Sequence, residues 1–250
     1  MSHNVTILVK VSNVENYPST SHSEMYFCQM NIEQNIGHAV AEHLLQIEAV
    51  KLNPNDPFTW ASGLKSPIYC DNRKILSFPD IRKKVAIAFA ELIKTFPVQP
   101  EIIAGVATGG IGIGALVADV MNLPFIYVRS EAKKHGLNNQ VEGICPEGAK
   151  VLVIEDLIST GKSSLLAVDA LMERKADVVG MIAIFTYQFP DALAKFETYP
   201  FPVKTLSNYT YLLEKAIEMN YIHAEQHQAL KVWKENPAAW SEQYLLNHGN

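Results

Sequence analysis

The residues best equipped for chemistry stand together at positions 151–164: Val151-Leu-Val-Ile-Glu155-Asp156-Leu157-Ile158-Ser159-Thr160-Gly161-Lys162-Ser163-Ser164. A short apolar run, expected as a buried strand, leads into two adjacent carboxylates, then small polar residues, then a helix. Ligands of open α/β sheets sit beyond the carboxyl ends of the strands, so Glu155 and Asp156 are expected at a site. Positions 159–164 offer successive backbone N–H groups and hydroxyls at a helix N-terminus, a receptor for a phosphate dianion. Two acids beside such a cradle would repel a bare phosphate. They suit a ligand that also presents hydroxyls, as a ribose 5-phosphate does, with its phosphate on the loop and its 2′- and 3′-OH on the acids. The plain alternative, that the acids only cap the next turn, leaves a costly carboxylate pair without a purpose.

Two other phosphate motifs are weighed against this. A Walker A loop needs Gly-x-x-x-x-Gly-Lys-Ser/Thr, and Gly161-Lys162-Ser163 supplies its end. The required first glycine falls on Asp156, whose charge would face the phosphates, so the motif is rejected. Gly110-Ile-Gly112-Ile-Gly114-Ala115 fits the dinucleotide pattern formally, but that pattern alone is weak and no βαβ unit opens the chain. Thr108-Gly109-Gly110 is read instead as a loop whose backbone approaches a pyrophosphate, and the glycines after it as tight helix–sheet packing.

Residues 127–143, Tyr-Val-Arg129-Ser130-Glu131-Ala-Lys133-Lys134-His135-Gly136-Leu-Asn-Asn139-Gln140-Val-Glu142-Gly143, are polar and glycine-bearing. Loops this long without structure of their own are functional lids or linkers. Arg129, Lys133, Lys134 and His135 are opposed only by Glu131 and Glu142. A cationic lid suits a departing pyrophosphate, where negative charge grows in the transition state. The alternative is a solvated charged loop, and the position one strand before the acid pair argues against it.

The strand, the two acids and the Thr160-Gly161-x-Ser163 loop together resemble the signature by which type I phosphoribosyltransferases bind phosphoribosyl pyrophosphate (PRPP). Arg129-x-Glu131-Ala-Lys133-x-His135-Gly136 looks like the catalytic loop of the orotate phosphoribosyltransferases, and it separates that branch from purine and uracil transferases. The likeness extends to Phe58-Thr-Trp60-Ala-Ser62-Gly63-x-x-Ser66-Pro-Ile-Tyr69-Cys-Asp71-x-Arg73, to residues 105–110 and to Ile184-Phe-Thr-Tyr187, and covers roughly residues 31–240.

The resemblance implies transfer of ribose 5-phosphate from PRPP to orotate, with pyrophosphate released, in UMP synthesis. Lys133, His135 and Asp156 would be the catalytic groups. Arg129, Lys133 and His135 would contact pyrophosphate from the neighbouring subunit of a homodimer. Glu155, Asp156, Leu157, Ile158, Ser159, Thr160, Gly161, Lys162 and Ser163 would bind the ribose phosphate, with Ser159 also touching orotate. Mg²⁺ would be carried by the substrate, with no metal cage built by the protein. Three positions depart from some members: Ser130 and Ala61 stand where those have lysine, and Tyr187 stands near where others carry an arginine for the orotate carboxylate. Orotate is then expected to rest on backbone groups around residues 62–69.

These groups need elements to position them. Short, continuously apolar runs at 102–107, 125–128, 151–154 and 178–185 alternate with helical patterns at 113–121 and 163–174. That alternation predicts an α/β fold, a central mostly parallel sheet flanked by helices, and the resemblance implies that it is the type I phosphoribosyltransferase fold. Helical spacing also marks 32–50, a helix opened by Pro79, and 209–219 and 224–234, with Asn236-Pro237 ending the last before a tail carrying Trp240. Residues 30–75 are expected as a small hood, 76–208 as the core and 209–240 as C-terminal helices. Residues 1–29 lie outside the resemblance and are expected to be a poorly ordered extension, or the product of a translation start placed too early.

Bulk composition agrees. A chain of 250 residues, 48% hydrophobic, can bury a full core. Its net charge of −5 provides no basic field for nucleic acid. Cys28, Cys70 and Cys145 form no metal or disulfide spacing, which suits the cytoplasm. No run reaches the roughly 18 apolar residues that span a bilayer, so no membrane partner is expected. The rival readings are a transferase for another base and a PRPP-sensing regulator that binds nucleic acid. A dinucleotide-binding oxidoreductase, resting only on residues 110–115, is more distant.

Overall fold

The computed structural model describes residues 22–129 and 140–248. In chain order the elements are α1 (His22–Gln46), β1 (Val50–Leu52), β2 (Phe58–Thr59), β3 (Lys65–Ser66), β4 (Ile68–Cys70), a 3-10 helix (Asn72–Ser77), α2 (Pro79–Ile93), β5 (Ile102–Val106), α3 (Gly109–Met121), β6 (Phe125–Val128), β7 (Val141–Glu142), β8 (Lys150–Ile158), α4 (Lys162–Glu173), β9 (Asp177–Thr186), α5 (Pro190–Phe196), β10 (Val203–Asn208), α6 (Tyr209–Glu218), α7 (Ala224–Glu235) and α8 (Pro237–His248).

Six strands form the central sheet in the order β10-β9-β8-β5-β6-β7. Every pairing is parallel except β6 with β7. All five residues of β5 are buried, because a parallel strand covered by helices on both faces has no wet side. Alternate side chains divide between two cores, as a period of two requires. Ile103, Leu152 and Ile154 join α1, α2, α3 and α6 on one face. Ala104, Val151 and Val153 join Ala167, Val168 and Leu171 of α4 on the other.

The hood consists of two small antiparallel pairs, β1 with β4 and β2 with β3. It is tied to the C-terminus, since the Lys65 N–H donates to Ser241 Oγ of α8 at 2.8 Å.

The predicted parallel α/β architecture is present, and four details differ. β8 does not stop before the acids but runs through them to Ile158. Ile158 is 3% exposed and packs in the second core, while Leu157 packs against the first. Apolar residues resume beyond Asp156, so the ladder continues. Asn236-Pro237 does not end the helical region. Asn236 Oδ1 accepts the Ala239 N–H at 3.0 Å, making it an N-cap with Pro237 in the first helical turn of α8, where a missing N–H costs nothing. α1 begins at His22, ahead of the apolar periodicity. Finally, α5 and β10 carry no clear periodicity. β10 is an edge strand in which Lys204, Thr205 and Ser207 interrupt the apolar pattern.

Candidate active site

The carboxyl ends of β5, β8 and β9 converge on one rim of the sheet, beneath the hood. Glu155 and Asp156 are adjacent on β8, and their carboxyl groups are close enough to interact. Glu155 is 3% exposed. Its Oε2 accepts the Ser164 hydroxyl at 2.9 Å and its Oε1 accepts the Asp156 N–H at 3.0 Å. Burial above all, and then the neighbouring Asp156 carboxylate, holds the Glu155 carboxyl well above the usual carboxylate range. Asp156 is half-buried and is the member of the pair that keeps access to solvent.

Asp156 is fixed from two sides. Its carbonyl oxygen accepts the side-chain amide of Asn72 at 2.6 Å. Asn72 is 1% exposed and also accepts the Cys70 thiol at 3.3 Å, so it couples the end of the hood to the end of β8. On the other side a methyl group placed on Gly109 would fall on the Asp156 carboxylate. Glycine there lets the first turn of α3 come up against the acid. Thr108, Gly109 and Gly110 are therefore less a free loop than the start of a helix packed tightly on β8. The peptide joining Ala107 and Thr108 is cis.

Beyond β8, Ser159 and Thr160 lead to Gly161, which sits in the left-handed region at φ +75° and is the N-cap of α4. No side chain caps this helix. Its first-turn N–H groups, on a helix of 12 residues, form an anion receptor. Gly161 is doubly constrained, since a side chain would also meet the Phe196 ring at 2.8 Å. Thr160, Lys162 and Ser163 are exposed around this cradle.

Arg129 follows β6. Its N–H donates to the Gln140 carbonyl at 2.9 Å, and its guanidinium stands 3.6 Å from the Glu142 carboxylate. Tyr127 pairs with Glu142 and Val128 with Val141, so the two ends of the cationic stretch are held side by side. Lys133 and His135 lie outside the described residues.

A cavity of about 230 Å³ opens between hood and sheet, lined by Thr59, Trp60, Ala61, Tyr69, Cys70, Leu157, Ser159 and Tyr187. Of the residues expected around the base, Ser159 and Tyr69 line this cavity. Leu157, expected with the ribose phosphate, faces this cavity instead. Behind Trp60 lies an aromatic cluster: Tyr187 centres 5.5 Å from Trp60, stacks on Phe189 at 5.3 Å and meets Trp233 of α7 edge-on at 5.9 Å. Burial raises the Tyr187 hydroxyl well above its ordinary range, and burial with the nearby acids does the same to the Cys70 thiol. Neither is an ionised nucleophile at neutral pH.

The sequence reading gave no part to Asn72, Trp233 or Lys234, and it set Ser164 in the phosphate cradle, whereas the structure buries that hydroxyl against Glu155. Ser164 stood at the edge of the quoted motif, and its burial is the only mark that separates it from Ser163. The others come from segments far away in the chain. Among the described residues no cluster of three or more His, Cys, Asp or Glu side chains could hold a metal ion, and no helix is long and apolar enough to cross a membrane.

Comparison with known proteins agrees with this geometry. Residues 71–207 match the phosphoribosyl transferase domain family. The orotate phosphoribosyltransferase of Listeria monocytogenes is 51% identical over 213 residues, covering 85% of this chain and 100% of its own. That of Bacteroides thetaiotaomicron is 51% identical over 207 residues, 83% of this chain and 98% of its own. The crystal structure of orotate phosphoribosyltransferase from Aeropyrum pernix superposes with a TM-score of 0.64 at 25% identity, over 74% of this chain and 99% of that one. With about half of its residues identical to these enzymes over more than four-fifths of its length, the chain belongs to the orotate phosphoribosyltransferase family.

Proposed function

We propose that the protein transfers the 5-phosphoribosyl group of PRPP to orotate, giving orotidine 5′-phosphate and pyrophosphate. The observation that carries this reading is the pairing of Asp156, accessible and rigidly held, with the uncapped N-terminus of α4 one short turn away. That arrangement suits a sugar phosphate: the 5′-phosphate takes the amides at 160–163, and the ribose hydroxyls take Asp156. Glu155 has both carboxylate oxygens engaged within the protein, so it supports the turn and its partner acid more than it meets substrate.

Orotate N1 attacks C1′ as the bond from C1′ to the pyrophosphate oxygen breaks, and the proton on N1 is released, to solvent or to the departing pyrophosphate. The electron pair of that bond leaves with pyrophosphate, and C1′ carries positive charge in between. Asp156 faces that charge and holds the sugar. No covalent nucleophile is required, so the protein contributes position and electrostatics. Lys133 and His135, with Arg129 at the base of their loop, stabilise the leaving pyrophosphate, across the subunit boundary of a homodimer. The Asp156 carboxylate is an oxygen donor of the kind magnesium prefers, and magnesium carried on PRPP would supply charge neutralisation of the pyrophosphate. Water is kept from the activated sugar when the loop closes. The reaction belongs in the cytoplasm.

The test is the purified protein with PRPP, magnesium and orotate, following loss of the orotate ultraviolet band, with adenine, xanthine and uracil in parallel. Magnesium-dependent consumption of orotate alone is expected. Consumption of a different base would assign another transferase. PRPP binding with no base consumed would point to a regulator.

A further inference from the structure

The base named above carries a carboxylate, yet no charged side chain lines the cavity that would take it. Trp60 and Ser159 also wall an adjoining cavity of about 430 Å³, whose charged lining is Asp191, Lys195, Lys234 and Glu235. Asp191, Lys195 and Glu235 are exposed to water, whereas Lys234 is half-buried. Its Nζ donates to Gln188 Oε1 at 3.1 Å and lies 5.9 Å over the Tyr209 ring, both neutral partners. Burial lowers its amine from the ordinary lysine range. A half-buried ammonium satisfied only by an amide and a ring is short of an anion.

Resting on the reading of orotate as substrate, we propose that Lys234 is a specificity-determining residue, which reaches from α7 past Trp60 to pair with the carboxylate of the base. The 5′-phosphate is the other anion in reach, but it already has the α4 amides and Lys162. Trp233, next to Lys234 on α7, packs against Trp60 and Tyr187 of the base cavity, and Lys234 itself lines the adjoining cavity together with Trp60 and Ser159. Lys65 is the rival cation, with its Nζ on Thr59 Oγ1 at 3.0 Å at the rim of that cavity.

The experiment compares the full-length protein with Lys234→Met, Lys234→Arg and Lys65→Met, varying orotate and PRPP separately and titrating orotate and uracil as ligands. In Lys234→Met the KM and Kd for orotate should rise roughly tenfold to a hundredfold, the range for losing one charged hydrogen bond. The PRPP KM and the affinity for uracil, which lacks the carboxylate, should stay within about twofold, and Lys234→Arg should recover part of the loss. An unchanged orotate KM in Lys234→Met overturns the proposal, as does a rise in the PRPP KM alone, which would give the ammonium to the 5′-phosphate. So does a tenfold effect confined to Lys65→Met. Failure of the unmodified protein to consume orotate would defeat the underlying reading and this inference with it, and is visible as a separate result.

Discussion

The two halves of the site are built on opposite plans. The phosphate half is local: Glu155 to Ser164 are consecutive, and the sheet and one helix terminus orient them with little help. The base half is composite: Thr59 and Trp60 come from the hood, Tyr187 and Phe189 from the end of β9, and Trp233 and Lys234 from α7. A binding group that does not depend on the identity of the base can be carried on one rigid turn. A group that chooses the base is assembled from three segments, each of which can change without disturbing the turn.

Breaking this contrast should therefore have different signatures on the two sides. The largest effect is expected from Trp233→Ala, which empties the centre of the aromatic cluster. Trp233 is fully buried, and its loss should destabilise by about 3–5 kcal/mol in denaturant unfolding. Trp233→Phe should cost far less, because the buried indole N–H donates to no acceptor among the described residues and no hydrogen bond is lost. On the phosphate side, Lys133→Ala should lower kcat by about 10²–10³-fold with the thermal midpoint unchanged, as for one preorganised donor. Gly109→Ala should lower kcat/KM for PRPP by about 10²-fold, since the new methyl must displace the Asp156 carboxylate. An orotate Kd that moved as much in this variant would show that the two halves are not separable.

The smallest effect concerns pH. Because the folded state holds the Glu155 proton more tightly than the unfolded chain does, the native protein binds more protons between the two pKa values. Stability without ligand should fall as pH rises from the ordinary carboxylate range, through the raised native value. Glu155→Gln should flatten this slope, read from urea midpoints across the pH range.

The same contrast explains what could be read in the sequence. The acid pair, the glycine turn and the alternation of strands and helices are legible because adjacent residues act together, and because a strand buried on both faces announces itself. The end of β8 was not, since two charges look like a boundary although Leu157 and Ile158 continue the ladder. Asn72 gives no signal: an asparagine between two charged residues reads as surface, and only the fold brings it under the Asp156 carbonyl. Of the segment from Ser62 to Tyr69 only Tyr69 lines the cavity between hood and sheet, and Trp233 and Lys234 looked like an ordinary helix end. Asn236-Pro237 was read as a stop, where the Asn236 side chain in fact starts the next helix.

The aromatic cluster has a spectroscopic consequence. Trp60 borders both cavities and is half-buried, while Trp233, 5.7 Å away, is sealed from solvent. The first indole should shift its emission when a base displaces water beside it. The second should hold a constant blue emission fed by Tyr187 and Tyr209. The protein thus carries a gauge of its own occupancy, and Trp60→Phe would remove the responsive signal, leaving Trp233 and the half-buried Trp240 of α8, which borders neither cavity.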